Sequence, residues 1–293
     1  MRGLPLTGAR SPKRQLLWCT EWVACRLAHR VLCVSHSVRH EAIQSGICHG
    51  GKIAVLRGGS GNGVDARARF NPELHGGVVR AATRARFGIP ADAVVAGFVG
   101  RIVRDKGIIE LAGAWGELRA RCPTLHLLLV GPLEPQDPIP AEVERLLRAD
   151  ERVHFAGMDW DTPPFYAAMD LVVLPTYREG FPNVALEAAA MGLPVIATRV
   201  PGCIDAVADG VTGTLAAVRD VDSLAAAIAR YASDGALRHA HGSAGRKRVI
   251  AEFGQEGVWA ALFEEYARLL GGLRRGHGAA LEATDTRPRV VAR

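Results

Sequence analysis

A doubly wound α/β fold is predicted by two observations. From about residue 94 onward, short continuous apolar runs alternate with longer stretches of helical periodicity. Strands apolar on both faces are what a parallel sheet covered by helices on either side requires. The composition agrees: 48% hydrophobic and 23% charged residues over 293 positions describe a folded chain about two domains long. The same values exclude a disordered chain. The 33 glycines follow no triplet period, which excludes collagen. No apolar run reaches the ~18 residues of a membrane span. The first fifteen residues lack the apolar stretch of a secretory signal, so the expectation is a cytoplasmic protein.

The elements follow in order. A helix is expected over about 13–29, then strand VLCVS (31–35), a helix from Ser37 to Ser45, and strand KIAVL (52–56). GGSGNGVD (58–65) is a turn-rich stretch that reads as a hinge. Two strands and two helices are too little to close a sheet, so 1–65 reads as part of a domain, either borrowing structure from the rest or a fragment. The larger domain, 66–254, contains strands VVAGFV (94–99), LHLLLV (125–130), VHF (153–155), LVVLP (171–175) and PVIAT (194–198). Helices lie between them, at 108–121, 141–149, 162–169 and 183–191. Three more are expected at 222–233, 236–250 and 256–270, the last packing back on the first domain. Beyond Gly271-Gly272 the pattern ends, and 271–293 is expected to be a disordered tail.

The net charge of +6 is almost all arginine, since lysine occurs only at positions 13, 52, 106 and 247. A nucleic-acid binder clusters its cations with interleaved aromatics. Here they are dispersed and aromatics are 6% of the chain, so no nucleic-acid partner is expected. The cationic stretches near Arg10–Arg14 and Arg274–Arg293 read as solvated ends. The cysteines at 19, 25, 33, 48, 122 and 203 form no CxxC and have no histidine at zinc-ligand spacing. They read as reduced packing residues.

Two segments stand at the carboxyl ends of predicted strands, where doubly wound sheets bind ligands. In GRIVRDKG (100–107), Arg101 and Lys106 flank a loop leading into a helix. Two cations beside a helix N-terminus make an anion site, although a solvated loop would look the same. In REGFPNVALEA (178–188), Glu179 lies in the loop and Glu187 in the second turn of the following helix. The free amides of Asn183 and Val184 can meet phosphate oxygens. A carboxylate at 187 can accept two hydroxyls of a ribose, or merely stabilise its own helix.

Together, Gly100-Arg101…Lys106-Gly107 and Glu179-GFPNVAL-Glu187 resemble the paired motifs of the retaining GT-B glycosyltransferases of family 4, the group 1 glycosyl transferases. VHFAGMDWD (153–161) resembles the family's nucleotide-base segment, VLCVSHSV (31–38) the end of its N-terminal domain, and GSGNGVD (59–65) its hinge. The similarity runs from about 16 to 270. It implies a GT-B fold: a Rossmann-like donor domain plus a partial N-terminal Rossmann-like domain. The implied activity is transfer of a sugar, with retention, from a nucleotide-diphosphate donor, UDP-linked, to a glycan or lipid-linked glycan. The GFPNV variant points to surface polysaccharide synthesis.

The resemblance also implies roles. Arg101 and Lys106 hold the diphosphate and stabilise the leaving nucleotide. Glu187 takes the ribose, the amides of Asn183 and Val184 the distal phosphate, and the backbone near Met158 the base. Glu179 contacts the transferred sugar. Pro182 stands where many relatives have glycine, which removes one amide donor. No counterpart of the family's opening strand, glycine-rich loop and sugar-side histidine precedes Lys13, so the chain is expected to begin partway through that domain. Donor binding survives such a loss more readily than catalysis. The rival readings are an inert nucleotide-sugar-binding fragment and a GT-B-fold epimerase or phosphorylase.

No cofactor and no metal are expected. Asp159-Trp-Asp161 and Asp220-Val-Asp222 both spell DxD, but the second reads as a helix N-cap, and two fixed cations can neutralise a diphosphate in place of a metal. The first helix places Leu16, Trp18 and Trp22 with Lys13, Arg14, Arg26 and Arg30. That pattern fits either peripheral membrane contact or packing within the acceptor-side domain.

Overall fold

The computed structural model describes residues 1–4 and 12–282. The larger lobe is one six-stranded parallel sheet in the order β5-β4-β3-β6-β7-β8. Its strands are β3 (Val94–Val99), β4 (Leu125–Val130), β5 (Val153–Gly157), β6 (Leu171–Leu174), β7 (Val195–Thr198) and β8 (Gly213–Ala216). Alternate strand residues feed two cores. Val95, Leu128, Val172 and Val195 pack beneath α6 (Pro163–Ala168), α7 (Asn183–Ala190) and α10 (Gly235–Glu252). Ala96, Leu127, Val173 and Ile196 pack beneath α4 (Ile108–Arg121), α5 (Ala141–Arg148) and α9 (Val221–Ser233). The period-two alternation explains why the strand runs are apolar throughout: each face meets a helix layer.

Strand order reverses between β3 and β6: the chain runs outward from β3 through β4 to β5, returns to β6 and runs the other way. The motif-bearing loops leave the carboxyl ends of these two neighbours. Gly107 is what lets them meet. Its φ is 72°, and a Cβ there would lie 1.9 Å from the Pro175 carbonyl oxygen, so no other residue fits without moving the loop after β6.

Two elements of this lobe carry weak sequence signals. Helix α3 (Gly77–Arg86) has no apolar stripe; two arginines anchor it instead. Arg84, 3% exposed, donates to the Asp170 carboxylate at 2.8 Å and to the carbonyls of Ala168, Ala91 and Ala93. Arg80 reaches the other Asp170 oxygen at 2.7 Å, and the Val95 amide donates to the same carboxylate at 2.7 Å. The edge strand β8 is four residues of Gly, Thr, Leu and Ala, too short and too weakly β-forming to stand out.

The smaller lobe holds α1 (Lys13–Leu27), α2 (His36–Gln44) and a parallel pair, β1 (Val31–Cys33) with β2 (Ile53–Val55). Its core joins Leu4, Cys25, Val38, Ala42, Ile47 and Ile53. All six cysteines are free thiols, four of them buried. Trp18 packs inward and donates to the Ser45 carbonyl at 2.8 Å, while Leu16, Trp22, Val23 and Leu27 stay exposed. The turn at 58–65 connects the lobes, and its Val64 amide donates to the Phe253 carbonyl of the larger lobe at 3.0 Å. The last helix, α11 (Gln255–Glu282), returns to the smaller lobe, where Glu265 pairs with Arg30 at 3.0 Å.

α11 corrects one expectation. It continues past Gly271-Gly272 through Glu282, so 271–282 is helical rather than a disordered tail. Each glycine costs a helix about 1 kcal/mol, but the Leu, Arg, Ala and Glu residues that follow are good helix formers. Residues 283–293 of that expected tail lie outside the described residues. Among the described residues, no helix is long and apolar enough to cross a membrane.

Candidate active site

A cleft of about 490 Å³ opens between the lobes. The larger lobe supplies Arg101, Asp105, Lys106, Arg178 and Glu179 from the loops after β3 and β6; Glu21, Val38 and Glu41 line the opposite wall. The structure thus brings Arg101, Lys106 and Glu179 into one cavity. Lys106 Nζ is ion-paired with the Glu179 carboxylate, both side chains largely buried. Arg101 is half exposed and pairs with Glu134 at 2.8 Å. Both cations therefore carry an acidic partner that an incoming anion must share or displace.

The two loops are tied into one unit. Asp105 accepts from Arg178 Nε at 2.9 Å, and its carbonyl accepts from the Tyr177 amide at 3.0 Å. The Tyr177 hydroxyl donates to Glu110 at 2.7 Å; burial and that carboxylate push the phenol well above its ordinary value. A tether of this kind fixes Lys106 and Glu179 before any ligand arrives, which is the preorganisation an electrostatic site needs.

Asn183, Val184, Glu187 and Met158 do not line this cavity. They lie farther along the same carboxyl edge of the sheet. Asn183 and Val184 open α7, which follows Pro182 without a side-chain cap, so its first amides are available. Glu187 accepts from the Tyr166 hydroxyl at 2.8 Å through Oε2. Burial raises the Glu187 carboxyl above its ordinary value, against the pull of that hydroxyl and of Arg69. Tyr166 is fully buried and its phenol is pushed far up. Met158 and Trp160 are exposed on the loop after β5, and Arg69, whose charge also reaches Glu187, donates to the Trp160 carbonyl at 2.6 Å. A carboxylate oriented by a buried tyrosine, beside exposed apolar side chains and a helix N-terminus, suits a nucleoside.

The partners Tyr166, Glu134, Arg69 and Tyr177 escape the sequence reading. Each is a common residue whose role depends on a contact made across 21 or more positions, and only the tyrosines offer a signal, as hydroxyls inside apolar helix or strand ends. Of the two DxD segments, Asp220 caps α9 by accepting from the Ser223 amide at 2.9 Å. Asp159 accepts from the Asp161 amide at 2.9 Å, a local turn.

A complete doubly wound lobe facing a smaller parallel-stranded lobe across a cleft, with cations and carboxylates at the switch point, is the GT-B architecture. A family model described as Glycosyl transferases group 1 matches residues 93–234. The capsular polysaccharide biosynthesis glycosyltransferase CapM of Staphylococcus aureus is 34% identical over 276 residues, 92% of this chain and 70% of CapM. Among solved structures, sucrose-phosphate synthase from Thermosynechococcus elongatus aligns with a TM-score of 0.75 at 30% identity, covering 90% of this chain and 64% of that one. Anabaena Alr3699/HepE in complex with UDP-glucose aligns with a TM-score of 0.76 at 25% identity, covering 88% and 70%. The chain spans about half the length of several other curated relatives. It belongs to the glycosyl transferases group 1 family.

Proposed function

We propose that this chain carries the donor site of a metal-independent glycosyltransferase. It takes a sugar from a nucleotide-diphosphate donor and transfers it, with retention, to a glycan or lipid-linked glycan in surface polysaccharide assembly. The observation that carries the reading is the meeting of Arg101, Lys106 and Glu179 in one cleft at the switch point, with the α7 N-terminus and Glu187 along the same edge.

In this reading the nucleoside lies over Met158, with its ribose on Glu187. The diphosphate runs across the amides of Asn183 and Val184 to Arg101 and Lys106. As the sugar–phosphate bond breaks, these two cations stabilise the charge growing on the departing phosphate. The same phosphate takes the proton of the attacking acceptor hydroxyl on the face it leaves, which gives retention. Glu179 holds hydroxyls of the sugar. Two fixed cations supply the neutralisation for which other transferases recruit a metal. The reading is supported by the UDP-glucose bound to the HepE relative and by the polysaccharide role in the name of CapM.

The protein works in the cytoplasm, with the exposed Leu16, Trp22, Val23 and Leu27 of α1 against the inner membrane face where lipid-linked acceptors reside. Calorimetric titration with UDP, GDP and ADP in excess chelator tests the donor assignment. Binding of one nucleotide under these conditions is expected. Failure of all three, with binding restored by Mn²⁺, overturns it.

A further inference from the structure

Where the two lobes touch beside the cleft, one carboxylate of the larger lobe sits on the start of a helix in the smaller one. Asp205 accepts from the amides of His36 and Ser37, each at 3.2 Å, and from the Ser37 hydroxyl. These amides open α2, whose first N–H groups have no partner within the helix. The same Ser37 Oγ accepts from the Gly202 amide at 2.7 Å. One hydroxyl thus gives its proton to Asp205 and takes one from Gly202, closing a ring of hydrogen bonds between lobes.

On its other side Gly202 backs the sugar-side loop. Its φ is 79°, and a Cβ there would lie 2.5 Å from the Gly180 carbonyl oxygen and 3.1 Å from that of Glu179. The short helix after Gly202, α8 (Cys203–Ala206), is clamped from behind by Arg248, which donates to the carbonyls of Asp205 at 2.8 Å and Ala206 at 3.0 Å. With that turn held by Arg248, the Gly202 amide is held from the other lobe by Ser37. Helix α2 itself lines the cleft through Val38 and Glu41.

We propose that Ser37 and Asp205 form a latch across the cleft that holds the lobes together and, through Gly202, positions the loop carrying Glu179 against the donor sugar. Opening the cleft breaks all four of these hydrogen bonds at once, so the contact favours the closed arrangement. Ser37 is a positioning residue: it acts on Glu179 and does not reach the donor. The link to sugar recognition rests on the proposed function; the latch itself does not.

Hydrogen exchange and calorimetry on the full chain test both parts, with Ser37→Ala, Ser37→Thr and Asp205→Asn. Ser37→Ala and Asp205→Asn are expected to speed amide exchange over 178–180 and 202–206 about tenfold, the effect of losing one hydrogen bond to a charged group. UDP-glucose should bind about tenfold more weakly while UDP is unchanged. Ser37→Thr, which keeps the hydroxyl, should behave as the unaltered protein. Unchanged exchange in Ser37→Ala, or equal acceleration in Ser37→Thr, overturns the latch. If exchange rises as expected but neither ligand binds the unaltered protein, the latch stands and the donor-site reading falls.

Discussion

Lys106 Nζ and the Glu179 carboxylate, 73 positions apart, form a largely buried ion pair at the base of the interlobe cleft. The pair joins the loop after β3 to the loop after β6, so the proposed diphosphate contact and the proposed sugar contact are one electrostatic unit in the free protein.

That pairing couples the two residues in any titration. Lys106→Ala is expected to weaken UDP-glucose by about 1.5–3 kcal/mol, the range for a hydrogen bond to a charged group. Glu179→Gln should weaken UDP-glucose but strengthen or spare bare UDP, because it frees the ammonium for phosphate. The double variant should deviate from additivity by at least about 0.5 kcal/mol. Strict additivity in calorimetry would mean that the pair opens before the donor arrives.

Glu187 sets a pH dependence with two signs. Its raised carboxyl contributes stability that is complete below its ordinary value of 4.5 and is lost as pH rises through its folded value. A ribose needs the ionised form, with Oε1 free while Oε2 holds the Tyr166 hydroxyl. Donor affinity should therefore fall as pH drops through that raised value, which lies above the ordinary 4.5. UDP-glucose is the ligand for this measurement, since it lacks the terminal phosphate whose second proton titrates near ~6. Glu187→Gln should weaken binding by about 1–3 kcal/mol and abolish the acid limb; a limb that persists assigns it to another group.

Arg84 is the structural arginine of the larger lobe. Arg84→Met leaves the Asp170 carboxylate with only Arg80 and the Val95 amide, and strips several carbonyls of their donor. Breaking a buried ion pair from one side costs about 3–5 kcal/mol, and urea unfolding should show a loss of that size. A loss under about 1 kcal/mol would place the anchoring of α3 elsewhere.

Acid should also act through His126 and His154. Their rings stack 5.3 Å apart, with Nδ1 and Nε2 3.0 Å apart, so one proton serves both nitrogens. Burial lowers both, reinforced by Arg152 and Arg84 around His126 and by His126 against His154; Asp150 and Asp92 oppose it weakly. The unfolded chain then binds more protons, so this stability is present above the ordinary value of 6.5 and is lost as pH falls through the folded values. The Tm should drop across that interval, and His154→Gln should flatten the drop. Parallel curves for the two proteins would clear the pair of any role.

The exposed apolar side chains of α1 make a vesicle test direct. Sedimentation with anionic phosphatidylglycerol vesicles should carry the protein down, and Leu16→Asp with Leu27→Asp should release it without changing the Tm. Both positions are more than half exposed, so packing is spared. Equal sedimentation of the variant, or none by the unaltered protein, would return α1 to a purely structural role.

What the sequence determined by itself was the layered architecture and the two loops that meet at the candidate site. Runs such as LHLLLV and LVVL are apolar on both faces, which only a sheet covered on both sides tolerates, and loops at the carboxyl ends of such strands are where cations and carboxylates do chemistry. Arg101, Lys106, Glu179 and Glu187 were legible because their spacing is local. Helix α3 was not, because two arginines reaching Asp170 hold it where an apolar stripe was the signal sought. Nor were the partners legible. That Lys106 neutralises Glu179, that Tyr166 holds Glu187, and that Asp205 caps a helix in the other lobe are contacts across 73, 21 and 168 positions. The tertiary structure alone decided them, since burial turns a weak polar contact into a strong one only where the fold has already excluded water.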